Sequence, residues 1–172
     1  MSIKDSIYRY YAKRQKREQA AFVPYRDIRR VLVIYTSDFQ EKNTEVRQLI
    51  ARLQNDGKDV VAWGYCPKKD IISLVLPIGR ILGLRDFDWL GRPKKHVLSD
   101  ISKEEADLLL DLTQDDSLAT RYLTLYAPAR LKAGRRCDTR PLDFMVDMPT
   151  EETPVALFEQ LTHYMKSINA SV

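Results

Sequence analysis

The sequence predicts a three-layer α/β domain of the Rossmann-like class, with a mostly parallel sheet of five or six strands and a basic N-terminal helix. Short apolar runs alternate with helical patterns from residue 31 onward, as in a chain built from strand–helix–strand units. Residues 106–113, with the sequence ADLLLDLT, have the apolar centre expected of a buried middle strand. The strand order that fits these elements is 3-2-1-4-5, with a possible sixth strand.

Residues 102–116 have a second interpretation, as a helix. Ser102 and Glu105 have the spacing of a capping box, which is a common helix start. Ala or Leu nevertheless occupies every second position between residues 106 and 112, which is the period of a strand. A separate helix pattern begins near residue 116, and two abutting helices would have no loop between them. The alternation therefore favours the strand, with Asp111 near its carboxyl end.

A complete strand–helix–strand unit precedes this central strand. Residues 31–35 form a continuous apolar run typical of a buried first strand, and residues 60–65 are predicted to form the second. The helix between them is expected to be capped at Asn43 or Thr44 and to stop at Gly57. Strand, helix and strand together take about 35 residues, the size of a right-handed βαβ crossover.

The third strand can be placed in two ways. Residues 71–76 and residues 80–84 are both apolar, and Pro77 and Gly79 interrupt the region between them. Either segment would form an edge strand, where proline is tolerated because one side of the strand has no hydrogen-bonding partner.

The remaining elements follow from local patterns. We expect a structured loop anchored by Trp89, then a short helix. After the central strand, the sequence predicts a helix that ends at Pro128 and strands over residues 130–136 and 141–148. Thr153, followed by proline, is a predicted helix cap. The last helix is expected to bury Phe158, Leu161, Met165 and Ile168.

The chain of 172 residues has a net charge of +4, and the excess of positive charge lies at its N-terminal end. Residues 1–30 contain nine basic and three acidic side chains. We therefore expect residues 1–21 to be a basic helical extension and residues 22–172 to form a single domain.

The composition also excludes several classes of protein. No run of about 18 apolar residues could span a membrane, and the first residues do not resemble a signal peptide. Cys66 and Cys137 are the two cysteines, so neither a disulfide framework nor a four-cysteine zinc site is expected. We expect a cytoplasmic protein without a metal or a cofactor.

The N-terminal helix is predicted over residues 3–21, and its role has two interpretations. Its Ile and Tyr residues could pack on the domain, through a stripe formed by Ile3, Ile7, Tyr10, Tyr11 and Arg14. Alternatively, the helix could dock on RNA, a ribonucleoprotein or an acidic protein surface. In that case the expected phosphate contacts come from Lys13, Arg14, Lys16 and Arg17. The tyrosines that could stack on unpaired bases are Tyr8, Tyr10, Tyr11 and Tyr25.

Ligands of parallel α/β sheets usually bind at the carboxyl ends of the strands, beside the point where the strand order reverses. In this chain those positions carry Ser37, Asp38, Cys66 and Asp111, which form the expected ligand pocket. Asp111 is the expected acid or base if the chain is an enzyme. The same residue types also form turns and helix caps, so a purely structural role remains the alternative.

Familiar catalytic motifs are missing from the sequence. There is no glycine between residues 31 and 56, so the G-x-G-x-x-G fingerprint is absent, as are the Walker A, H-E-x-x-H and G-x-S-x-G motifs. The two histidines, His96 and His163, lie on different segments. These features favour a non-enzymatic binding or accessory protein over a nucleotide-sugar or small-ligand enzyme.

Four segments resemble an uncharacterised bacterial family that is catalogued as a domain of unknown function. They are residues 42–47 (KNTEVR), 57–64 (GKDVVAWG), 86–93 (DFDWLGRP) and 142–147 (LDFMVD). The resemblance covers most of residues 22–168 and implies no particular activity.

A second, shorter resemblance covers residues 107–134. A strand with Asp-Leu near its end leads to a helix and then to a strand ending near glycine, which is similar to the N-terminal half of heptosyltransferase-like glycosyltransferases. The resemblance implies the same sheet topology. The chain departs from those enzymes after the first strand, where Thr36-Ser37-Asp38-Phe39 stands in place of their Gly-Asp pair.

Overall fold

The computed structural model describes residues 2–15, 20–37, 41–68 and 79–169. The helices in these ranges are α1 (Ile3–Arg14), α2 (Glu41–Asn55), α3 (Lys95–Ile101), α4 (Leu118–Tyr126) and α5 (Pro154–Asn169). The strands are β1 (Arg30–Thr36), β2 (Asp59–Tyr65), β3 (Arg80–Leu82), β4 (Ala106–Asp111), β5 (Ala129–Arg135) and β6 (Phe144–Val146).

The six strands form one sheet in the order β3-β2-β1-β4-β5-β6, and every neighbouring pair is parallel. This confirms the Rossmann-like prediction, including the sixth strand. Val33 of β1 pairs with Ala62 of β2 on one side and with Leu110 of β4 on the other. The strand order therefore reverses between β1 and β4, and the connections that leave their carboxyl ends lead to helices on opposite faces of the sheet.

The central strand is β4, and the helical alternative for this segment is wrong. Leu108 and Leu110 face one layer of helices, whereas Leu109 faces the other, and all three are fully buried. A strand covered on both faces needs apolar residues at consecutive positions, which explains the Leu triplet.

Helices cover both faces of the sheet and complete the three layers. One face packs against α2 and α5, with Val46 and Leu161 in its core. The other face packs against α3 and α4, with Val97 and Leu123 in its core. A smaller cluster, centred on Tyr122, joins the outer side of α4 to α1.

The boundaries of two predicted elements differ in the structure. Helix α2 begins at Glu41, before the caps predicted at Asn43 and Thr44. Gly57 does follow its end, with a φ of 75° that favours glycine. Strand β3 is an edge strand, as predicted, and lies in the second of the two candidate segments; the candidate at residues 71–76 lies outside the described residues.

Two apolar side chains are exposed, contrary to prediction. Ile168 of α5 is 43% exposed, although Phe158, Leu161 and Met165 are buried as predicted. Trp89 is 72% exposed, so the prediction that it anchors its loop is wrong.

Helix α1 ends at Arg14, and residues 16–19 lie outside the described residues. The face of α1 that packs on α4 is not the one formed by the predicted stripe. Ile3 and Tyr10 are exposed, whereas Tyr8 is buried and Tyr11 is partly buried. Within the part of the chain that the structure describes, no helix is long and apolar enough to cross a membrane.

Candidate functional site

Asp111, the last residue of β4, is held by four hydrogen bonds. Its Oδ1 accepts from the backbone N–H of Thr113 (3.1 Å) and from the Thr113 hydroxyl (2.5 Å). Its Oδ2 accepts from the Thr124 hydroxyl (2.8 Å) and from Nη1 of Arg140 (2.5 Å). Both carboxylate oxygens are therefore satisfied from within the protein, as a buried charge requires.

Arg140 reaches Asp111 from the connection between β5 and β6. Its Nη2 also donates to the carbonyl oxygen of Asp115 (2.6 Å) and to the hydroxyl of Thr120 (2.9 Å). The side chain thus links the carboxyl end of β4, the first turns of α4 and the β5–β6 connection. No local pattern in the sequence predicted this role, because Arg140 lies 29 residues from Asp111.

A second ion-pair network ties α1 to the same edge of the sheet. Nε and Nη2 of Arg121 donate to the two carboxylate oxygens of Asp116, at 2.7 and 2.5 Å. Nη1 of Arg121 donates to Oδ1 of Asp5 in α1, at 2.8 Å. The bidentate geometry fixes the guanidinium plane, so Arg121 holds the first turn of α1 in one position.

The same carboxylates have shifted pKa values. Burial by itself raises the pKa of Asp116, but hydrogen bonds from Arg121 and Thr139 more than offset this and hold it below its ordinary value. Hydrogen bonds from Ser2 and then from Arg121 lower the pKa of Asp5. Asp5 and Ser2 also form the capping box of α1, so one carboxylate both caps the helix and docks it.

Tyr8 is the central packing residue of α1. It is 3% exposed, and its ring meets the Tyr122 ring edge-on with 5.0 Å between centroids. Its hydroxyl has no hydrogen-bond partner among the described residues, and burial raises its pKa. One turn later, the hydroxyl of Tyr11 accepts a hydrogen bond from Nη1 of Arg92 (2.8 Å).

A cleft of about 540 Å³ lies between α1 and the β5–β6 connection. Arg9 and Lys13 line it from α1, while Asp138, Thr139 and Arg140 line it from the connection. Tyr8 and Arg121 also contribute to its walls. The cleft adjoins the carboxyl edge of the sheet, and of the predicted site residues that the structure describes, Lys13 alone lines it.

The structure describes three of the four predicted pocket residues, Ser37, Cys66 and Asp111. Ser37 and Cys66 directly follow β1 and β2 and are both buried. The backbone N–H of Ser37 donates to the Tyr65 carbonyl, and that of Cys66 donates to the Leu82 carbonyl. Asp111 belongs to the buried network described above, and Asp38 lies outside the described residues. The arrangement of these four residues as one pocket remains a prediction.

Helix α1 carries three exposed cations, Arg9, Lys13 and Arg14, and the first two border the cleft. Within the described residues, none of them forms an ion pair. The guanidinium carbon of Arg14 lies 4.6 Å from the ring centroid of Tyr10, which is 51% exposed. Lys16 and Arg17 lie outside the described residues. Of the four tyrosines predicted to stack on bases, Tyr8 and Tyr25 are buried, Tyr11 is partly buried, and Tyr10 is exposed.

The structure describes no group of three or more His, Cys, Asp or Glu side chains that could hold a metal ion within residues 2–15, 20–37, 41–68 and 79–169.

Comparisons with known proteins give a family and a fold. Residues 1–168 match the profile of a family of unknown function, DUF6913. No curated protein matches the chain. The fold is similar to that of the E. coli heptosyltransferase WaaC with ADP, with a TM-score of 0.50 and 15% sequence identity. The similarity covers 79% of this chain and 46% of the heptosyltransferase, so the chain spans less than half of that enzyme's length.

Proposed function

We propose that this chain, which belongs to the DUF6913 family of unknown function, is a non-enzymatic binding or accessory protein that docks on structured RNA. The observation that carries the proposal is the contrast between the attached and the unpaired side chains of α1. Asp5 and Tyr8 attach the helix to α4, whereas Arg9, Lys13 and Arg14 are exposed and have no ion-pair partner among the described residues.

The outward cations are suited to phosphate groups. Arg9 and Lys13 are four residues apart, so they lie on the same side of α1 in successive turns. Contacts of this kind to phosphates position a protein on a nucleic acid without reading its sequence. Lys16 and Arg17 continue the basic segment and belong to the proposed contact surface.

The internal bonding of the sheet edge supports a binding role over a catalytic one. A catalytic carboxylate must reach its substrate, but both oxygens of Asp111 accept hydrogen bonds from Thr113, Thr124 and Arg140. The charges of Asp111 and Arg140 at this edge therefore stabilise the fold, whereas Arg9, Lys13 and Arg14 of α1 are exposed.

The test is the affinity of the full chain for a labelled RNA hairpin, measured by fluorescence anisotropy. Changing Arg9, Lys13 and Arg14 to Gln preserves helix propensity and removes three charges. We expect the affinity to fall about tenfold or more, since each lost phosphate contact removes a salt-dependent contribution.

A matched control removes three exposed charges elsewhere, with Arg26, Arg52 and Lys103 changed to Gln. This variant should retain affinity within about twofold, apart from a small effect of net charge. Equal losses in the two variants would mean that binding depends on net charge alone, and the proposal would be wrong. It would also be wrong if the unmodified chain bound no RNA.

A second candidate function is the binding of a small anionic ligand, such as a nucleotide or sugar nucleotide, in the cleft beside α1. The observation that favours it is the unpartnered, buried hydroxyl of Tyr8 in the wall of a cleft that Arg9 and Lys13 also line. The fold relative with ADP supports testing this class of ligand.

Thermal-shift measurements with ADP, UDP and sugar nucleotides would test this second candidate. A ligand present at 100 times its Kd adds about 2.7 kcal/mol to stability, which raises Tm measurably. The shift should be lost when Arg9 is changed to Gln. No shift at millimolar ligand concentrations would contradict the candidate.

A further inference from the structure

Residues 87–93 form a loop whose shape is fixed by Asp88. Its Oδ1 accepts from the backbone N–H groups of Leu90 (2.9 Å) and Arg92 (3.0 Å), and its Oδ2 accepts from Nε of Arg92 (2.8 Å). The backbone N–H of Asp88 donates to the Arg92 carbonyl (2.9 Å). These bonds close the loop on itself, so its conformation does not depend on a partner.

The close approach of Gly91 to α4 reinforces this shape. Gly91 has a φ of 77°, and a Cβ at this position would lie 2.9 Å from Cβ of Leu118. A larger residue would therefore meet both backbone strain and a steric clash. The loop is seated against α4 at a position that only glycine fits easily.

This fixed loop points its largest apolar side chain away from the core. Phe87, Leu90 and Pro93 are buried and anchor the loop, whereas Trp89 between them is 72% exposed. A Trp side chain carries a large apolar surface, and leaving it in water forgoes the free energy of burial. An exposed ring on a rigid support is therefore a candidate binding element.

Three basic residues lie close to Trp89 along the chain. Arg85, Lys94 and Lys95 are exposed and have no ion pair within the described ranges. The nearby carboxylate of Asp86 already accepts a hydrogen bond from the backbone N–H of Gly83 and contacts His96. An aromatic ring among unpaired cations suits a polyanion with flat bases better than an apolar protein surface.

The loop is also connected directly to the proposed RNA-binding helix. Arg92 donates to the Tyr11 hydroxyl, and its guanidinium carbon lies 5.5 Å from the centroid of that ring. Tyr11 in turn contacts Tyr10, with 5.7 Å between the ring centroids. The loop that carries Trp89 is therefore linked, through Arg92 and Tyr11, to the helix that carries the proposed RNA-binding cations.

We propose that Trp89 stacks on an unpaired base of the bound RNA, while Arg85, Lys94 and Lys95 contact the adjacent phosphates. The inference rests on the proposed RNA docking and makes its partner more specific, because the base must be single-stranded to stack. Aromatic stacking of this kind tolerates every base, so we expect little sequence preference.

Intrinsic fluorescence provides a direct test. The chain has two Trp residues, and Trp63 is buried against the sheet, so quenching by a ligand reports on Trp89. The full chain is titrated with a single-stranded oligouridylate, with an RNA duplex and with inorganic polyphosphate. We expect strong quenching by oligouridylate and little by the duplex or by polyphosphate, which has charge but no bases.

Substitutions then separate stacking from charge. Changing Trp89 to Ala should weaken oligouridylate binding about tenfold and leave polyphosphate binding unchanged, and Trp89→Phe should recover part of the loss. Leu84→Ala is the matched control, because Leu84 is a neighbouring exposed apolar residue that should not stack. Neither Trp89 variant should lower Tm.

The outcomes distinguish this inference from the proposed function. If the Arg9, Lys13 and Arg14 substitutions weaken oligouridylate binding but Trp89→Ala does not, stacking is refuted and docking stands. Quenching by polyphosphate equal to that by oligouridylate would also refute stacking. If no nucleic acid binds the full chain, the proposed function fails and the inference fails with it.

Discussion

Nη1 of Arg140 lies 2.5 Å from Oδ2 of Asp111, and the two side chains are only 4% and 2% exposed. This buried ion pair joins the end of the central strand β4 to the connection between β5 and β6. The pair lies at the carboxyl edge of the sheet, where parallel α/β sheets usually bind their ligands. In this protein, hydrogen bonds between the protein's own residues occupy that position.

Removing one member of this pair should be much worse than replacing both. Changing Asp111 to Ala leaves the Arg140 guanidinium buried without its counter-charge, at an expected cost of about 3–5 kcal/mol in the free energy of unfolding. The double change Asp111→Leu with Arg140→Met should cost less than the sum of the single changes. Urea denaturation measures all three, and a loss below about 1 kcal/mol for Asp111→Ala would show that the pair is not structural.

The core of the central strand should be separable from RNA binding. Leu110 is fully buried between Val33 and Ala133, so Leu110→Ala should cost about 2–5 kcal/mol through the cavity it opens. RNA affinity measured well below the lowered Tm should stay unchanged. A large loss of affinity in the folded variant would place the binding surface on the sheet instead of on α1.

The sequence alone predicted those elements of the fold that a local pattern of residues determines. The period of two around Leu110 predicts β4, and Gly57 predicts the end of α2, because neighbouring residues decide both features. The arrangement at the sheet edge depends on contacts between distant residues: Arg121 meets Asp5 across 116 positions, and no local periodicity reports such a pairing. Trp89 was misjudged for a related reason, since aromatic content predicts burial but the bonds of Asp88 hold the ring outward.

Tyr8 should contribute through its ring and not through its hydroxyl. Tyr8→Ala removes the edge-on contact with Tyr122 and should cost about 3 kcal/mol, whereas Tyr8→Phe should be neutral or stabilising because its hydroxyl is buried without a partner. Denaturant unfolding followed by circular dichroism compares the two variants. A destabilising Tyr8→Phe change would show that the hydroxyl makes a stabilising hydrogen bond.

Acid should weaken the attachment of α1 through Asp116. Because its pKa in the folded state lies below the ordinary value of about 3.9, ionised Asp116 stabilises the fold above that value. This contribution is lost as the pH falls through the folded-state pKa. We expect the difference in Tm between the unmodified chain and Asp116→Asn to be constant above about pH 5 and to shrink below about pH 4.

A difference in Tm that grows on acidification would contradict this sign. The partner variant Arg121→Gln should behave in the same way, because it removes the donor of two of the hydrogen bonds that lower the pKa of Asp116.

Helix α1 is attached to the protein through Asp5 and Tyr8, and we propose that it binds RNA through its exposed cations. The variant that tests this role has Lys13, Arg14, Lys16 and Arg17 changed to Gln. These changes should alter the free energy of unfolding by less than about 1 kcal/mol, because exposed charges contribute little. A variant that melts much earlier would show that these cations hold the helix in place.

The most direct measurement is the dependence of RNA affinity on salt concentration. The four contacts proposed for Lys13, Arg14, Lys16 and Arg17 should contribute roughly −3 to −4 to the slope of the logarithm of the association constant against the logarithm of the salt concentration. The four-Gln variant, still folded, should give a slope that is shallower by about that amount, since Arg9 and the cations near Trp89 keep their contacts. An unchanged slope in that variant would contradict the proposed role of α1, because the phosphate contacts would then lie elsewhere on the protein.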